Sequence, residues 1–491
     1  MRSPSDSAQV ADLLHASDAL LREDRYRDAL RCALQAFAIA DREPKRLIPL
    51  CQRLRRFHES GRALALIANA DPERFPSAIE RTELASLASR CGDQALAEAW
   101  IDHAVRADPM HAQAQYLRGV IAMFRGDMPQ ARFALSACLA LAPDFAQAHW
   151  VLSTLPEDRD ARDADAVSRI RASLARVARA SVAEAYLYYA LHNALHALGR
   201  HDEAWEALAN GHALRRAQAP HDEAATAALF SALESRYAPE FLRPADAKAG
   251  DYTPIFVVGM HRSGTTLLER ILGGHPLVAD GGESYAFTAQ LDFAADHKSA
   301  DALDATTLAR VADADFAAIG RGFLEASRWR ARGRPFLTEK LPANLLNAGL
   351  VAKALPQAKL IRVVRAPMDT CFSNLRTFFA GTAAHASDPL QVARHYLRCE
   401  RLARHLHAAM PGRMLDVAYD DLVADTEATA RRVFDFCGLR FAAEALDPAR
   451  ASGDVSTASA VSVRGGIVRD RGGAWRPYAR QLRAMRDALG A

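Results

Sequence analysis

Apolar residues in the first half of the chain recur three and four positions apart, the spacing of one face of a helix. The whole pattern then repeats. Gly92-Asp93 and Gly126-Asp127 lie 34 residues apart, as do Ala97 and Ala131, Ala104 and Cys138, and Pro109 and Pro143. The stretch from Ser89 to Pro109 can be laid over Phe124 to Pro143 with small shifts of residue type. A small residue at the turn lets two helices cross closely, and a proline after the second helix prevents its continuation. Counting back by 34 reaches His58 and then Asp24, which opens a second-helix pattern without the turn glycine. Weaker repeats are therefore expected over residues 8–80. A charged stretch, 156–163, interrupts the array, which resumes from Ala185 to Arg216 with the turn pattern Leu198-Gly199-Arg200-His201-Asp202-Glu203-Ala204.

A period of 34 is that of the tetratricopeptide repeat. Residues 1–240 are thus expected to form an α-solenoid, whose concave face usually holds a partner, with a generic helical bundle as the alternative. Residues 239–253 carry Pro and Gly without periodicity and read as a boundary, with 241–253 as the linker. After it the pattern changes. Ile255–Val258 and Lys359–Val364 are short, β-branched apolar runs of the kind buried in parallel sheets. Each is followed by a turn and a helical pattern. The expected fold is α plus α/β: the solenoid, then residues 254–491 as a mainly parallel sheet flanked by helices.

Composition narrows the function classes. Lys plus Arg number 62 and Asp plus Glu 59 in 491 residues, a net charge of +3 that gives no argument for nucleic acid. Any anion must be met by a few placed cations. The seven cysteines are dispersed and include no CxxC pair, which disfavours zinc and thioredoxin-like chemistry. No metal is expected. The first residues lack the apolar core of a secretory signal, and no run approaches the roughly 18 apolar residues of a membrane span. A cytoplasmic protein with reduced thiols is expected.

The informative stretch is Gly259-Met260-His261-Arg262-Ser263-Gly264-Thr265-Thr266-Leu267-Leu268-Glu269, between the first strand and an amphipathic helix. Gly259 and Gly264 allow a tight turn whose N–H groups, with those of the helix N-terminus, converge on a phosphate. Thr265 and Thr266 add hydroxyls, and Arg262 adds a charge. The glycine spacing is that of a P-loop, but Thr265 stands where a nucleoside-triphosphate P-loop needs lysine. That substitution counts against a kinase.

The loop resembles the 5′-phosphosulfate loop of sulfotransferases that use 3′-phosphoadenosine 5′-phosphosulfate (PAPS). The chain as a whole resembles the bacterial tetratricopeptide-repeat sulfotransferases, relatives of the tyrosylprotein sulfotransferases. The likeness implies PAPS as donor and no metal, with His261, Arg262, Ser263, Gly264, Thr265 and Thr266 in the loop. It also implies a 3′-phosphate site at Arg365, which ends the second strand, and Ser373, eight residues on. A guanidinium plus a hydroxyl suits that task. By the same likeness Ser459 and Arg464 close over the donor as a flap, although Gly466 and Ala474 replace the proline and arginine of the family pattern. Trp475 and Tyr478 are either core anchors or donor contacts.

Sulfuryl transfer needs a base for the acceptor hydroxyl, cations for the sulfuryl oxygens and a neutralised leaving phosphate. The resemblance implies Glu283, in Asp280-Gly281-Gly282-Glu283-Ser284, as base, with His261 and His275 as rivals. It implies Lys340 as the sulfuryl clamp, with Arg262 sharing the leaving charge. Tyr285 stands where the tyrosylprotein enzymes carry an arginine for acidic peptides, and Phe378-Phe379 reads either as acceptor wall or as core. A tyrosine of a protein or peptide held by the solenoid is the first acceptor, with a small phenol or saccharide next. A repeat scaffold with a nucleotide-sensing domain is the rival function. A homodimer is compatible with the sequence.

Overall fold

The computed structural model describes residues 4–40, 44–155, 164–246, 250–379, 381–447 and 472–490. First helices of successive pairs begin at Pro44, Ala78, Ala112 and Ala146, and second helices at Tyr26, Ser60, Gln94 and Met128. Both series advance by 34 residues. Small buried residues make the close crossings possible: a Cβ on Gly119 would lie 2.7 Å from Leu135 Cγ in the neighbouring helix.

The same turn joins the helices of four successive pairs. Residues 24, 58, 92 and 126 have φ of 58°, 61°, 94° and 91°. The next residue in each case returns its N–H to a carbonyl five positions back: Arg25 to Leu20, Glu59 to Leu54, Asp93 to Ala88 and Asp127 to Ala122. This is the left-handed helix stop that glycine makes easily. Asp24 and His58 adopt it at a strain of roughly 1 kcal/mol each. A search for turn glycines therefore sees the third and fourth turns and misses the first two. Val182–Ala197 and His201–Gln218 pair through Gly199, which has φ 74°, as the sequence led us to expect.

Among the described residues the second half holds five parallel strands: β1 (Thr253–Gly259), β2 (Val278–Ala279), β3 (Phe336–Glu339), β4 (Lys359–Val364) and β5 (Met414–Ala418), in the order β2-β3-β1-β4-β5. Both faces are covered by helices. Phe256 and Val258 enter one apolar core, Ile255 and Val257 the other. β1 and β4 coincide with the two expected strands. At the sheet's other seam Arg362 on β4 pairs with Asp416, its register partner on β5, and with Glu400 at 2.8 Å.

The two halves meet along long seams. The Asp24 carboxylate takes Arg310 at 2.7 Å and His297, while His58 stacks on Tyr285 with centroids 5.1 Å apart. On another side Phe378 stacks on Tyr186 at 3.8 Å and also contacts Trp150, and the Tyr478 hydroxyl meets His196 at 2.8 Å. Phe378 and Tyr478 are core anchors. The helix Glu223–Arg236 sends Phe230 and Leu233 into the core beside the sheet. The stretch read as linker is held there too, with Lys353 Nζ donating to the Phe241 carbonyl at 2.7 Å. Among the described residues no helix is long and apolar enough to cross a membrane.

Candidate active site

In a parallel sheet, ligands bind beyond the C-terminal strand ends, where neighbouring connections diverge. β1 lies between β3 and β4, so its following loop sits at that divergence. The loop turns through three positive-φ residues: Gly259 at 152°, Arg262 at 68° and Gly264 at 105°. A Cβ on Gly259 would stand 2.7 Å from the Val363 carbonyl, and one on Gly264 2.3 Å from the Tyr419 ring. Neither position admits another residue without movement. Thr265 and Thr266 are buried in the first turn of the helix Thr265–Gly273. The Ser263 hydroxyl is buried and has no hydrogen-bond partner among the described residues.

The cations gather on the β4 side of this loop. Arg262 Nε donates to Ser373 Oγ at 3.1 Å, and Arg365 Nη1 reaches the Arg262 carbonyl at 3.5 Å. Arg365 also lies over the Tyr419 ring, 4.8 Å from its centre. The Arg262 side chain thus reaches Ser373 while its carbonyl faces Arg365, the two expected 3′-phosphate residues. His261 packs edge-on against Phe379, with centroids 5.5 Å apart, and its carbonyl accepts from Asn374 at 2.7 Å. Burial lowers the His261 pKa below its ordinary value, against the opposing pull of Glu283 and Asp301.

On the β3 side stands the other group. β2 and β3 pair through Val278–Phe336 and Ala279–Leu337, which aligns the chain beyond both. Gly281 then fits only as glycine, since a Cβ would meet the Thr338 carbonyl at 2.0 Å; Gly282 has φ 66°. Lys340 N donates to the Gly282 carbonyl at 3.0 Å. These constraints bring Glu283 Oε1 to 2.6 Å from Lys340 Nζ. Lys340 is fully buried, whereas the Glu283 side chain is 37% exposed. The pair therefore presents one carboxylate to the outside and seals its cation within.

Sequence reasoning missed what surrounds Lys340. Glu269 Oε2 lies 3.8 Å from Nζ, and Asp280 lies 3.6 Å from Arg270 Nη1. Thr338 Oγ1 accepts from Gly281 N at 3.0 Å and donates to Glu269 at 3.3 Å. Ser284 Oγ reaches both oxygens of Glu339 at 2.8 and 2.9 Å. Burial, then the charge of Asp280, pushes Glu269 well above the usual carboxylate range. Burial pushes Asp280 upward and Glu339 to about 8. For Lys340 burial opposes the charge, but Glu283 and Glu269 outweigh it and hold the ammonium above its ordinary pKa. The available signal was an acid beside each recognised residue: Asp280 before Gly281-Gly282-Glu283, Glu339 before Lys340, and Glu269-Arg270 inside an apolar helix.

His275 does not join the site. Its Nε2 meets the Arg440 carbonyl at 3.0 Å and its Nδ1 accepts from Leu277 N, so both ring nitrogens serve the fold and the ring is unsuited to be a base. Ser459 and Arg464 lie outside the described residues.

With this geometry in hand, comparison with known proteins is informative. Residues 254–443 match the family model described as "Sulfotransferase family", so the sheet half carries a sulfotransferase-family domain. An uncharacterized protein of Aquifex aeolicus is 27% identical over 310 residues, 61% of this chain. The match covers 41% of that relative's length. Among solved structures, the sulfotransferase domain of the Synechococcus PCC 7002 olefin synthase is 20% identical, covering 49% of this chain and 97% of that one, with a TM-score of 0.31. A sulfotransferase of Mycobacterium tuberculosis is 14% identical over 71% of this chain and 98% of that one, with a TM-score of 0.29.

Proposed function

We propose that this protein transfers the sulfuryl group of PAPS to an acceptor hydroxyl, first of all that of tyrosine in a protein or peptide, with Glu283 as the base. The observation that carries the reading is the Glu283–Lys340 contact of 2.6 Å, set beside a phosphate loop that follows the central strand of the sheet. The residues present fit the donor. Ser263 offers a buried hydroxyl without a partner among the described residues, and Gly259 and Gly264 leave no side chain where the loop must close on an anion. When bound, PAPS supplies an activated sulfuryl group on a phosphate leaving group.

The chain's own residues do the rest. Loop N–H groups, Ser263, Thr265 and Thr266 hold the 5′-phosphate at a helix N-terminus. Arg365, Arg262 and Ser373 hold the 3′-phosphate, and Ser459 and Arg464 are assigned to the flap. Glu283 takes the proton of the acceptor oxygen through its exposed side. Lys340, held from behind, brings positive charge to the sulfuryl oxygens. As Glu283 accepts the proton it loses its charge, and its hold on Lys340 weakens when the leaving phosphate needs that cation. The helical half is assigned as a tetratricopeptide array on the strength of its 34-residue step, and its concave face as the holder of a polypeptide acceptor.

Transfer of labelled sulfate from PAPS to a panel of tyrosine peptides, phenols and glycans tests this reading. Transfer to a hydroxyl acceptor, lost in Glu283→Gln with binding of adenosine 3′,5′-bisphosphate retained, is expected. Thermal stabilisation by ATP with magnesium but not by the bisphosphate would overturn the donor.

A further inference from the structure

The connection that carries Glu283 is held from outside the sheet half. It leaves β2 through two glycines that β3 ties on one side: Gly281 N donates to Thr338 Oγ1 at 3.0 Å, and the Gly282 carbonyl accepts from Lys340 N at 3.0 Å. On the other side the Gly281 carbonyl accepts from Arg330 Nη1 at 2.8 Å. The same guanidinium donates through Nη2 to the Cys91 carbonyl at 3.3 Å, so one planar fork joins the two halves of the chain.

Both ends of that bridge suit it. Cys91 closes the helix Ala78–Arg90, and the last carbonyls of a helix carry partial negative charge and lack partners within it. Gly92 follows at φ 94°, and a Cβ there would come within 3.4 Å of Arg330 Nη1. Arg330 stands in the last turn of the helix Phe316–Ala331. Its guanidinium lies over the ring of its neighbour Trp329, 4.5 Å from the centre. Trp329 in turn packs on Gly61 in the preceding repeat, where a Cβ would meet its Nε1 at 2.9 Å. At the far end of the connection Tyr285 stacks on His58, the turn residue of that preceding repeat. Glu283 thus sits midway along five residues, 281–285, whose two ends are tied to successive turns of the helical half.

We infer that Arg330 is a positioning residue: it fixes the Gly281 peptide against the third repeat turn and thereby holds Glu283 at its 2.6 Å contact with Lys340. The helical half then supports the acid itself and does more than hold an acceptor. This rests on the sulfotransferase reading above and deepens it. Arg330 contacts Gly281 and Cys91, not the carboxylate, and it acts through the two glycines, whose backbone freedom nothing else of their own restricts.

Two variants and a double variant separate this role from a merely structural one. Arg330→Met keeps the stem and removes both donors. Arg330→Lys keeps the charge without the planar fork. Arg330→Met combined with Glu283→Gln asks whether the effect passes through the acid. The readouts are labelled-sulfate transfer from PAPS to the best acceptor among tyrosine peptides, phenols and glycans, calorimetric binding of adenosine 3′,5′-bisphosphate, and amide hydrogen exchange. In Arg330→Met we expect kcat to fall about 10- to 100-fold, the size of a misplaced reacting group, with donor KM and bisphosphate Kd within about twofold of wild type. Arg330→Lys should fall between the two. On top of Glu283→Gln, Arg330→Met should lower kcat by no more than about twofold. Exchange should quicken in peptides spanning 281–285 and 338–340 and keep its wild-type rate over 259–266. Unchanged kcat in Arg330→Met would overturn the inference, as would an equal loss of bisphosphate affinity or a full further loss in the double variant. Should Arg330→Met not fold, wild-type kcat and wild-type exchange over 281–285 in Arg330→Lys would overturn it. Wild-type protein that transfers no sulfate, while exchange over 281–285 still quickens in Arg330→Met, would instead overturn the sulfotransferase reading and leave the bridge standing.

Discussion

The two sides of the site hold charge in opposite ways. Beyond β1 the chain makes the proposed anion cradle from backbone shape: three positive-φ residues, two of them glycines that no side chain could replace without movement, with arginines added at the rim. Beyond β2 and β3 it makes a sealed cluster from side chains, in which Lys340 is fully buried among Glu269, Glu283 and Asp280. In the proposed reaction the first arrangement recognises a charge that arrives from outside. The second stores charges already balanced against one another, and leaves only Glu283 in contact with the surroundings. A cradle tolerates loss of one cation better than a sealed cluster tolerates loss of one ion, because the partner left behind in the interior cannot be rehydrated.

The sharpest way to break this comparison is Glu283→Gln. Turnover should fall about 10²- to 10⁴-fold, measured as sulfate transfer, while affinity for adenosine 3′,5′-bisphosphate stays at the wild-type level. A parallel fall in both would mean that the two sides are one unit. Next in size is Gly264→Ala. A Cβ placed 2.3 Å from the Tyr419 ring, at φ 105°, should cost about 3 kcal/mol in thermal or denaturant unfolding and remove donor binding. Arg365→Ala should be milder. Losing a charge-assisted contact of about 2 kcal/mol should raise the donor KM tens of fold with a smaller change in kcat.

The smallest effect is a pH dependence on the sealed side. Burial raises Glu339 to about 8, so between the ordinary carboxylate range and pH 8 the unfolded chain releases a proton that the folded chain keeps. The stability associated with that proton is full at low pH and is lost as the pH rises through this window. Glu339→Gln should flatten the loss by roughly 1 kcal/mol or more between pH 5 and 8, read from denaturant midpoints at each pH. A curve that keeps its slope would place the titration elsewhere.

What the chain reveals in its letters follows the same division. Backbone shape leaves a local trace: Gly259 and Gly264 after an apolar β-branched run are enough to locate the cradle, and Lys359–Val364 coincides with β4. The repeat step is equally plain, since turns at 92 and 126 reuse glycine. The sealed side leaves almost none. β2 has two residues and β3 four, too short for any periodicity, and the lysine's neighbours come from three separate segments. Asp24 and His58 hide two repeat turns for a related reason, because contacts with the other half rather than local preference select them. His275 shows the opposite error: a histidine near the loop reads as reactive until both its nitrogens are found bound to backbone.

The spacing of contacts along the chain also bears on how the molecule is made. In the helical half each turn closes over five residues and each pair packs on the next one 34 residues away, so order can grow behind the advancing chain during synthesis. The site instead joins Glu283 to Lys340 across 57 residues and Arg262 to Ser373 across 111. Synthesised first, the helical half can take shape before the ribosome has released the residues of the proposed site, and its first turns await the segment from Tyr285 to Arg310 that they will hold.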